Sequence, residues 1–321
     1  MAERRVIASV GVLALAAAGV SGYLALRSGL GPLPDPEGCA ASTSDHSVAL
    51  SLEQAENASL ISAVAERRGL PARAVTIAIA TAYQESDLQN LDGGDRDSLG
   101  LFQQRPSQGW GSPAQILDPY YATNAFYDAL VEVDGYQTMD VTDAAQAVQR
   151  SGFPQAYADH EQDGRTIASA LTGYSEAAFT CTVNAPDTTD ESQRHHGLTP
   201  RADAVRRDLA TAFGDLDLGG LAAGGSGTGP VAGSAHDDGR ALDVLFRPIS
   251  DDNTRRGWVL AHYLVANAAR LHIAHVIFDD RIWTAGARSA QGWRDYDAPT
   301  GHDPARQAIL EHRDHVHVDV A

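Results

Sequence analysis

Residues 315–320 read His-Val-His-Val-Asp-Val, a strict alternation of polar and apolar side chains. Successive side chains of a β-strand point to opposite faces, so this alternation predicts a strand whose valines lie in the core. His315, His317 and Asp319 then share the other face. Two imidazoles that stand two residues apart on one face lie close enough to bind one metal ion. The stretch therefore predicts a strand and a candidate metal site on it.

A second polar stretch lies upstream and reads Ser-Ala-His-Asp-Asp-Gly-Arg-Ala-Leu-Asp at residues 234–243. A turn is predicted just after His236, and a strand is predicted over residues 241–246. This turn and strand can bring His236 and Asp243 to the same point. Two nitrogen ligands and one carboxylate, with one coordination position left open, form the arrangement that zinc catalysis requires.

The string Ser-x-His-x-x-Gly-x-Ala-x-Asp at residues 234–243, followed by His-x-His at residues 315–317, resembles the D-alanyl-D-alanine carboxypeptidase-like zinc peptidases. That group is related to the lysostaphin-type endopeptidases and to the hedgehog signalling domain. The resemblance covers about residues 199–321 and implies one Zn²⁺ as the cofactor. It implies three zinc ligands, His236, Asp243 and His317.

The resemblance also implies two alternative general bases. Members of the group place the base either three residues before the last ligand, here Asp314, or at the first histidine of the pair, here His315. Strand alternation favours His315, but a bulge would turn Asp314 inward, so both are candidates. Substrate contacts are expected from Ser234 and Arg240.

One feature of the group is missing from the expected place. Some members hold the substrate with an arginine ahead of the histidine motif, whereas residues 219–233 are rich in glycine and contain no arginine. The arginines that could substitute for it are Arg240, Arg247 and Arg281.

A second candidate site is predicted at the end of an apolar helix that begins at Pro71. Glu85 lies at the C-terminal end of this helix, beside an apolar core. The helix dipole and the apolar surroundings both disfavour the carboxylate and raise the pKa of Glu85. A carboxyl group that is still protonated near neutral pH is the general acid that cleavage of a glycosidic bond needs.

The Glu-Ser pair at residues 85–86, followed by Gly-Leu-Phe-Gln at residues 100–103, resembles the soluble lytic transglycosylase and goose-type lysozyme group. The resemblance covers roughly residues 50–182, with a polar insert at residues 92–97 as a departure from the pattern. It implies three site residues: Glu85 as the catalytic acid, and Gln103 and Tyr157 as contacts to the glycan.

The overall composition excludes several classes of partner. The 321-residue chain has a formal net charge of −18, and a nucleic-acid partner would need a basic surface. All of its basic residues other than histidine are arginines. The absence of lysine excludes a P-loop lysine and a lysine nucleophile, and no nucleotide cofactor is expected.

The N-terminal segment predicts where the chain is located. An apolar run at residues 6–26 follows Arg4 and Arg5, and its length of about 20 residues matches the hydrocarbon core of a bilayer. The paired arginines favour a cytoplasmic N-terminus with all later residues outside the cell membrane. The alternative is a cleaved signal peptide and secretion. In either oxidising compartment the two cysteines, Cys39 and Cys181, are expected to form a disulfide.

These features together predict an α+β protein with two domains. The expected segments are a membrane anchor at 1–28, a linker at 29–47, a mainly helical lysozyme-like domain at 48–183, a linker at 184–197 and a zinc peptidase domain with an antiparallel sheet at 198–321. The expected function is peptidoglycan hydrolysis, with zinc-dependent cleavage of the stem peptide and glycan cleavage by the Glu85 domain. The alternatives are a non-catalytic peptidoglycan-binding scaffold and a metal-binding protein.

Overall fold

The computed structural model describes most of the chain beyond the N-terminal segment. The described residues are 36–153, 155–189, 191–193, 197–219 and 234–321. The predicted membrane helix at residues 6–26 lies outside them. Among the helices that are described, none is both long and apolar enough to cross a bilayer. Residues Glu37–Ala321 form one compact unit with a mixed α/β architecture.

The first described strands of this unit belong to a small antiparallel sheet. Its strands are β1 (Gly38–Ser42), β2 (Ser47–Leu50) and β3 (Phe179–Thr182), in the order β2-β1-β3. Cys39 lies directly opposite Cys181 in this sheet, and the predicted disulfide joins them. The predicted linker at 29–47 is therefore partly wrong, because β1 is paired on both of its edges.

In the chain, the helices of the N-terminal half lie between β2 and β3. They are α1 (Leu52–Arg67), α2 (Ala72–Ser86), α3 (Pro113–Ile116), α4 (Pro119–Val131), α5 (Val141–Gln149) and α6 (Glu161–Leu171). The predicted apolar helix is α2, which is buried from Ala74 to Ala82 because this stretch has no polar face. It ends where Asp87 adopts the left-handed conformation with φ of 54°.

A six-stranded antiparallel sheet carries the C-terminal half. Its strands are β4 (Leu218–Gly219), β5 (Ala241–Leu245), β6 (Ile273–Phe278), β7 (Arg281–Thr284), β8 (Arg294–Asp295) and β9 (His315–Val320), in the order β4-β5-β9-β6-β7-β8. The helices are α7 (Pro200–Phe213), α8 (Asp251–Ala266), α9 (Ala268–Leu271) and α10 (Pro304–Leu310).

Strand β9 confirms the alternation that its sequence predicts. Val316, Val318 and Val320 are at most 1% exposed and lie in the core. The opposite face carries His315, His317 and Asp319, which are buried by their neighbours rather than exposed to water. Because β5 and β6 flank β9 on its two sides, the polar face of β9 meets side chains from both of these strands.

The two halves share buried polar contacts within the compact unit. Asn267 donates a hydrogen bond to Ser59 Oγ at 3.1 Å, and His262 Nδ1 lies 2.9 Å from Ala170 O. Trp293 Nε1 donates to Phe179 O at 2.8 Å. The halves therefore pack through a continuous interior, while their division into separate domains stays a prediction.

Candidate functional site

His236, Asp243 and His317 bring three ligand atoms together in the described part of the chain. His317 Nδ1 lies 3.0 Å from Asp243 Oδ1, and His236 Nε2 lies 3.3 Å from that oxygen and 3.2 Å from His317 Nδ1. A tetrahedral ion bound at 2.0–2.1 Å has neighbouring ligand atoms about 3.3 Å apart. The three side chains therefore could hold a metal ion, and their donor set of two nitrogens and one oxygen fits zinc chemistry.

Two neighbouring strands and one turn bring the three side chains of this group together. Asp243 on β5 pairs directly with His317 on β9, so their side chains lie side by side on one face of the sheet. His236 arrives from the turn that precedes β5. In that turn Gly239 has a φ of +69°, and a Cβ there would lie 2.2 Å from Gly197 O. Glycine is therefore required, and Gly239 O accepts a hydrogen bond from Thr199 N, at the start of α7.

Electrostatics favour a cation at this point. Burial raises the pKa of Asp243, but hydrogen bonds from His236 and His317 outweigh burial and hold that pKa well below its usual range. Burial likewise lowers the pKa of His317, yet Asp243 and Asp319 together raise it to about 9. A proton thus occupies this imidazole because two carboxylates lie beside it, and a divalent cation would compete for the same negative potential.

Asp319 and His275 stand behind His317. Asp319 Oδ2 lies 3.4 Å from His317 Nε2, and its other oxygen lies 2.9 Å from His275 Nδ1. Burial raises the pKa of Asp319, while hydrogen bonds and charge from the two histidines lower it to about 2. An ionised carboxylate at Nε2 holds the proton there and leaves Nδ1 free to bind a metal. The sequence placed Asp319 on the correct face but assigned no role to His275.

The two candidate bases are differently placed. His315 Nδ1 lies 2.7 Å from Asp314 Oδ1, and the second oxygen of Asp314 accepts from Arg247 Nε at 2.7 Å. Both oxygens of Asp314 are thus engaged away from the metal-binding group. His315 Nε2 faces that group, 3.9 Å from Asp243 Oδ1. Of the two candidate bases, only His315 therefore has an atom facing the metal-binding group that is not held by Asp314 or Arg247.

His312 is a neighbour that sequence reasoning missed. Its ring centroid lies 4.6 Å from that of His315 and 5.7 Å from that of His317. Burial, together with the charges of those two histidines, lowers the pKa of His312 to about 3, so the ring is neutral. No spacing rule connects a residue before β9 with the face of β9, so the sequence carried no signal for it.

The two predicted substrate contacts, Ser234 and Arg240, make no hydrogen bond to the described metal-binding group. Ser234 Oγ is buried and has no hydrogen-bond partner among the described residues. Arg240 donates to Val320 O at 3.0 Å and to Asp238. Of the other two arginines considered, Arg281 pairs with Asp295, whereas Arg247 is half-exposed and touches Asp314.

The second candidate site centres on Glu85, at the end of α2. Tyr157 Oη donates to Glu85 Oε1 at 2.6 Å, so these two predicted residues do meet. Burial raises the pKa of Glu85, and hydrogen bonds from Tyr157 and Gln149 offset part of the rise. Gln103 instead donates to Gly100 O within its own loop at 3.1 Å.

Gln149 links a cavity of about 620 Å³ to this carboxyl group. Gln149 lines the cavity, donates to Phe102 O and is a hydrogen-bond partner of Glu85. Trp110 also lines it, as a sugar-binding aromatic side chain would. Tyr127, by contrast, is completely buried and donates to Ile61 O, so it belongs to the core.

The C-terminal half is similar to a known family. A family model described as VldE, C-terminal domain, matches residues 194–306. The matched segment contains His236 and Asp243 and ends before β9, which carries His317. None of the curated proteins compared with the chain matches it.

Proposed function

We propose that the chain is an extracytoplasmic, membrane-anchored peptidoglycan hydrolase whose C-terminal half is a zinc-dependent peptidase acting on the stem peptide. The observation that carries the proposal is the triangle of His236 Nε2, Asp243 Oδ1 and His317 Nδ1, with edges of 3.0–3.3 Å. Three protein ligands leave one tetrahedral position for water or substrate, as in catalytic rather than structural zinc sites.

Zinc, when bound, would polarise a carbonyl group and lower the pKa of water to about 7. The side chains around it supply the proton transfers. Asp314 fixes the Nδ1 proton of His315, so that Nε2 is the basic nitrogen and faces the metal-binding group. Burial raises the pKa of Asp314, but His315 and then Arg247 outweigh burial and hold that pKa below its usual range. Arg247 Nε also donates to the carboxylate and holds it in place.

His315 then acts as base and as acid in one hydrolysis. It takes a proton from water as the oxygen bonds to the peptide carbonyl carbon. It returns the proton to the leaving nitrogen as the C–N bond breaks. One water is consumed, and a carboxylate and an ammonium group are released. Because one imidazole takes up the proton from water and gives it to the leaving nitrogen, no second acid or base is needed.

A second activity is proposed for the N-terminal half, namely cleavage of the glycan strand. Its supporting observation is Glu85, which is half-buried and has a raised pKa. Glu85 is hydrogen-bonded to Tyr157 and to Gln149, and Gln149 lines the cavity at Trp110. Lytic transglycosylases, which the sequence resembles, work with one catalytic acid. The resemblance therefore implies that one carboxyl group is enough for this step.

Digestion of purified sacculi tests both activities. The full chain, in mild detergent, is incubated with sacculi in zinc or in chelator, and soluble products are identified by mass spectrometry. New amino termini that disappear with chelator and in His315→Gln are expected for the peptidase. Anhydro-sugars or reducing ends that disappear in Glu85→Gln are expected for glycan cleavage.

Two control variants make the digestion specific. His302→Gln changes an exposed histidine of the C-terminal half, and Glu176→Gln changes an exposed carboxyl group, so neither should reduce product release. Intact sacculi that retain bound protein would instead identify a scaffold. Protein that contains no stoichiometric zinc after loading would exclude the peptidase.

A further inference from the structure

His312 places a third imidazole against the face of β9. Its ring lies over that of His315 with an interplanar angle of 39°, and it meets the ring of His317 edge-on at 75°. It is not one of the three residues whose ligand atoms converge. His312 therefore lies beside both the proposed base and a proposed metal ligand.

The backbone at His312 is held in an unusual conformation. Its φ is +54°, in the left-handed region that glycine and asparagine adopt most readily. Hydrogen bonds fix it on both sides: His312 N donates to Ile309 O, and His312 O accepts from Asp279 N, each at 3.0 Å. These two hydrogen bonds fix the backbone from which the ring projects.

The hydrogen bonds of the ring determine its tautomer. His312 Nδ1 lies 3.1 Å from Leu310 O, and a carbonyl oxygen only accepts, so Nδ1 carries the proton. In the neutral ring Nε2 is then the acceptor, and no hydrogen bond joins it to another described residue. Tyr296 packs edge-on against the ring at 4.9 Å and 88°, which fixes the plane of the ring.

The proposed roles of the surrounding side chains leave one group of a bound peptide without a partner. His315 and Asp314 move and hold the proton, and His236, Asp243 and His317 form the metal-binding group. A peptide bond brings a carbonyl oxygen and an N–H. The N–H needs an acceptor once it leaves water, because an unsatisfied buried donor is costly.

We propose that His312 Nε2 accepts a hydrogen bond from a backbone N–H of the bound peptide and so orients the scissile carbonyl toward His315. This inference rests on the proposed peptidase function. His312 is a positioning residue for the substrate, and it neither binds the metal nor transfers the proton. Its loss should therefore weaken peptide binding and turnover while zinc binding is retained.

Two substitutions separate the two ring nitrogens. His312→Asn suits the left-handed backbone and keeps an N–H that can reach Leu310 O, but it offers no acceptor at the position of Nε2. His312→Gln extends its amide to that position and keeps an acceptor. Zinc content and zinc affinity are measured first, by metal analysis and chelator competition, on the full chain. Both variants are expected to match the wild type.

Binding and turnover of a purified disaccharide-peptide fragment of peptidoglycan are then measured. We expect His312→Asn to lower kcat/KM by about 10- to 100-fold, and His312→Gln to stay within about threefold of the wild type. Calorimetric binding of the same fragment in the His315→Gln background, where cleavage is blocked, should weaken by about tenfold with His312→Asn.

Four results would contradict either the role of His312 or the peptidase function. Wild-type binding and turnover in zinc-loaded His312→Asn would overturn the inference alone, and so would loss of zinc in that variant. If His312→Asn does not fold, a tenfold weaker affinity in folded His312→Gln would overturn it. Wild-type protein that neither binds nor cleaves the fragment would refute the peptidase function itself.

Discussion

Asp243 and His317 are direct cross-strand partners, and Asp243 Oδ1 lies 3.0 Å from His317 Nδ1 although 74 residues separate them in the chain. The register of β5 against β9 alone decides this contact. A slip by one residue would point the histidines of β9 into the core and the valines out of it. The core therefore stabilises the metal-binding group, because the three valines of β9 keep the register fixed.

Removal of a ligand should abolish metal binding. Wild-type protein is expected to bind one Zn²⁺ per chain, whereas His317→Ala and Asp243→Ala each leave two ligands and lose at least about 100-fold in affinity. Metal analysis after dialysis and chelator competition measure this. Saturating zinc at about 1,000 times its Kd should add about 4 kcal/mol to wild-type stability and little to the variants. An equal thermal shift in His317→Ala would contradict the assignment.

Asp319 is expected to act through His317. Asp319→Asn removes the charge beside His317 Nε2 and should weaken zinc binding by about 10- to 100-fold without removing a ligand. Chelator competition is the measurement. Asp297→Asn, a change at an exposed aspartate of the same half, serves as the matched control. Unchanged affinity in Asp319→Asn would show that the carboxylate does not orient the imidazole.

Asp314 is expected to affect turnover and not metal content. Asp314→Asn keeps the shape of the side chain but no longer fixes the tautomer of His315, so kcat should fall by about 10²- to 10⁴-fold with zinc retained. Product release from sacculi and metal analysis on one preparation test this together. Full activity in Asp314→Asn would exclude the Asp314–His315 pair as the proton-transfer unit.

Glu85 should make stability depend on pH. Its folded-state pKa lies above the unfolded value, so the native protein binds the extra proton and wild-type stability falls as pH rises through the window above about 4.5. Glu85→Gln has no such group. Its melting temperature should exceed that of the wild type at pH 7, and the difference should shrink toward pH 4, while glycan cleavage falls by at least about 100-fold. A constant difference at all pH values would contradict the raised pKa.

Gly239 should be intolerant of a side chain. Alanine there would force a left-handed residue and a Cβ about 2 Å from Gly197 O, so the turn must move away from α7 and carry His236 with it. We expect Gly239→Ala to lower zinc affinity by at least about tenfold and to destabilise the protein by about 1–3 kcal/mol. Gly301→Ala, at a left-handed glycine with open space around it, controls for backbone conformation alone.

The sequence by itself determined which residues share a face or a turn. The alternation at 315–320 specified the strand, its valine core and its histidine face, because the side-chain period of a strand is two. The apolar run in α2 specified a buried helix with Glu85 in its last turn, and two lone cysteines specified their disulfide. Each of these follows from local periodicity or from the composition of the chain.

Only the tertiary structure decided which elements lie side by side. His275 reaches Asp319 because β6 pairs with β9, and His312 reaches His315 because its turn folds back over β9. The contact with Asp314 likewise distinguished Arg247 from Arg240 and Arg281. Strand order and loop packing depend on how the whole core closes, and the free energy of that closure is spread over many apolar contacts distant in sequence. No local pattern contains it.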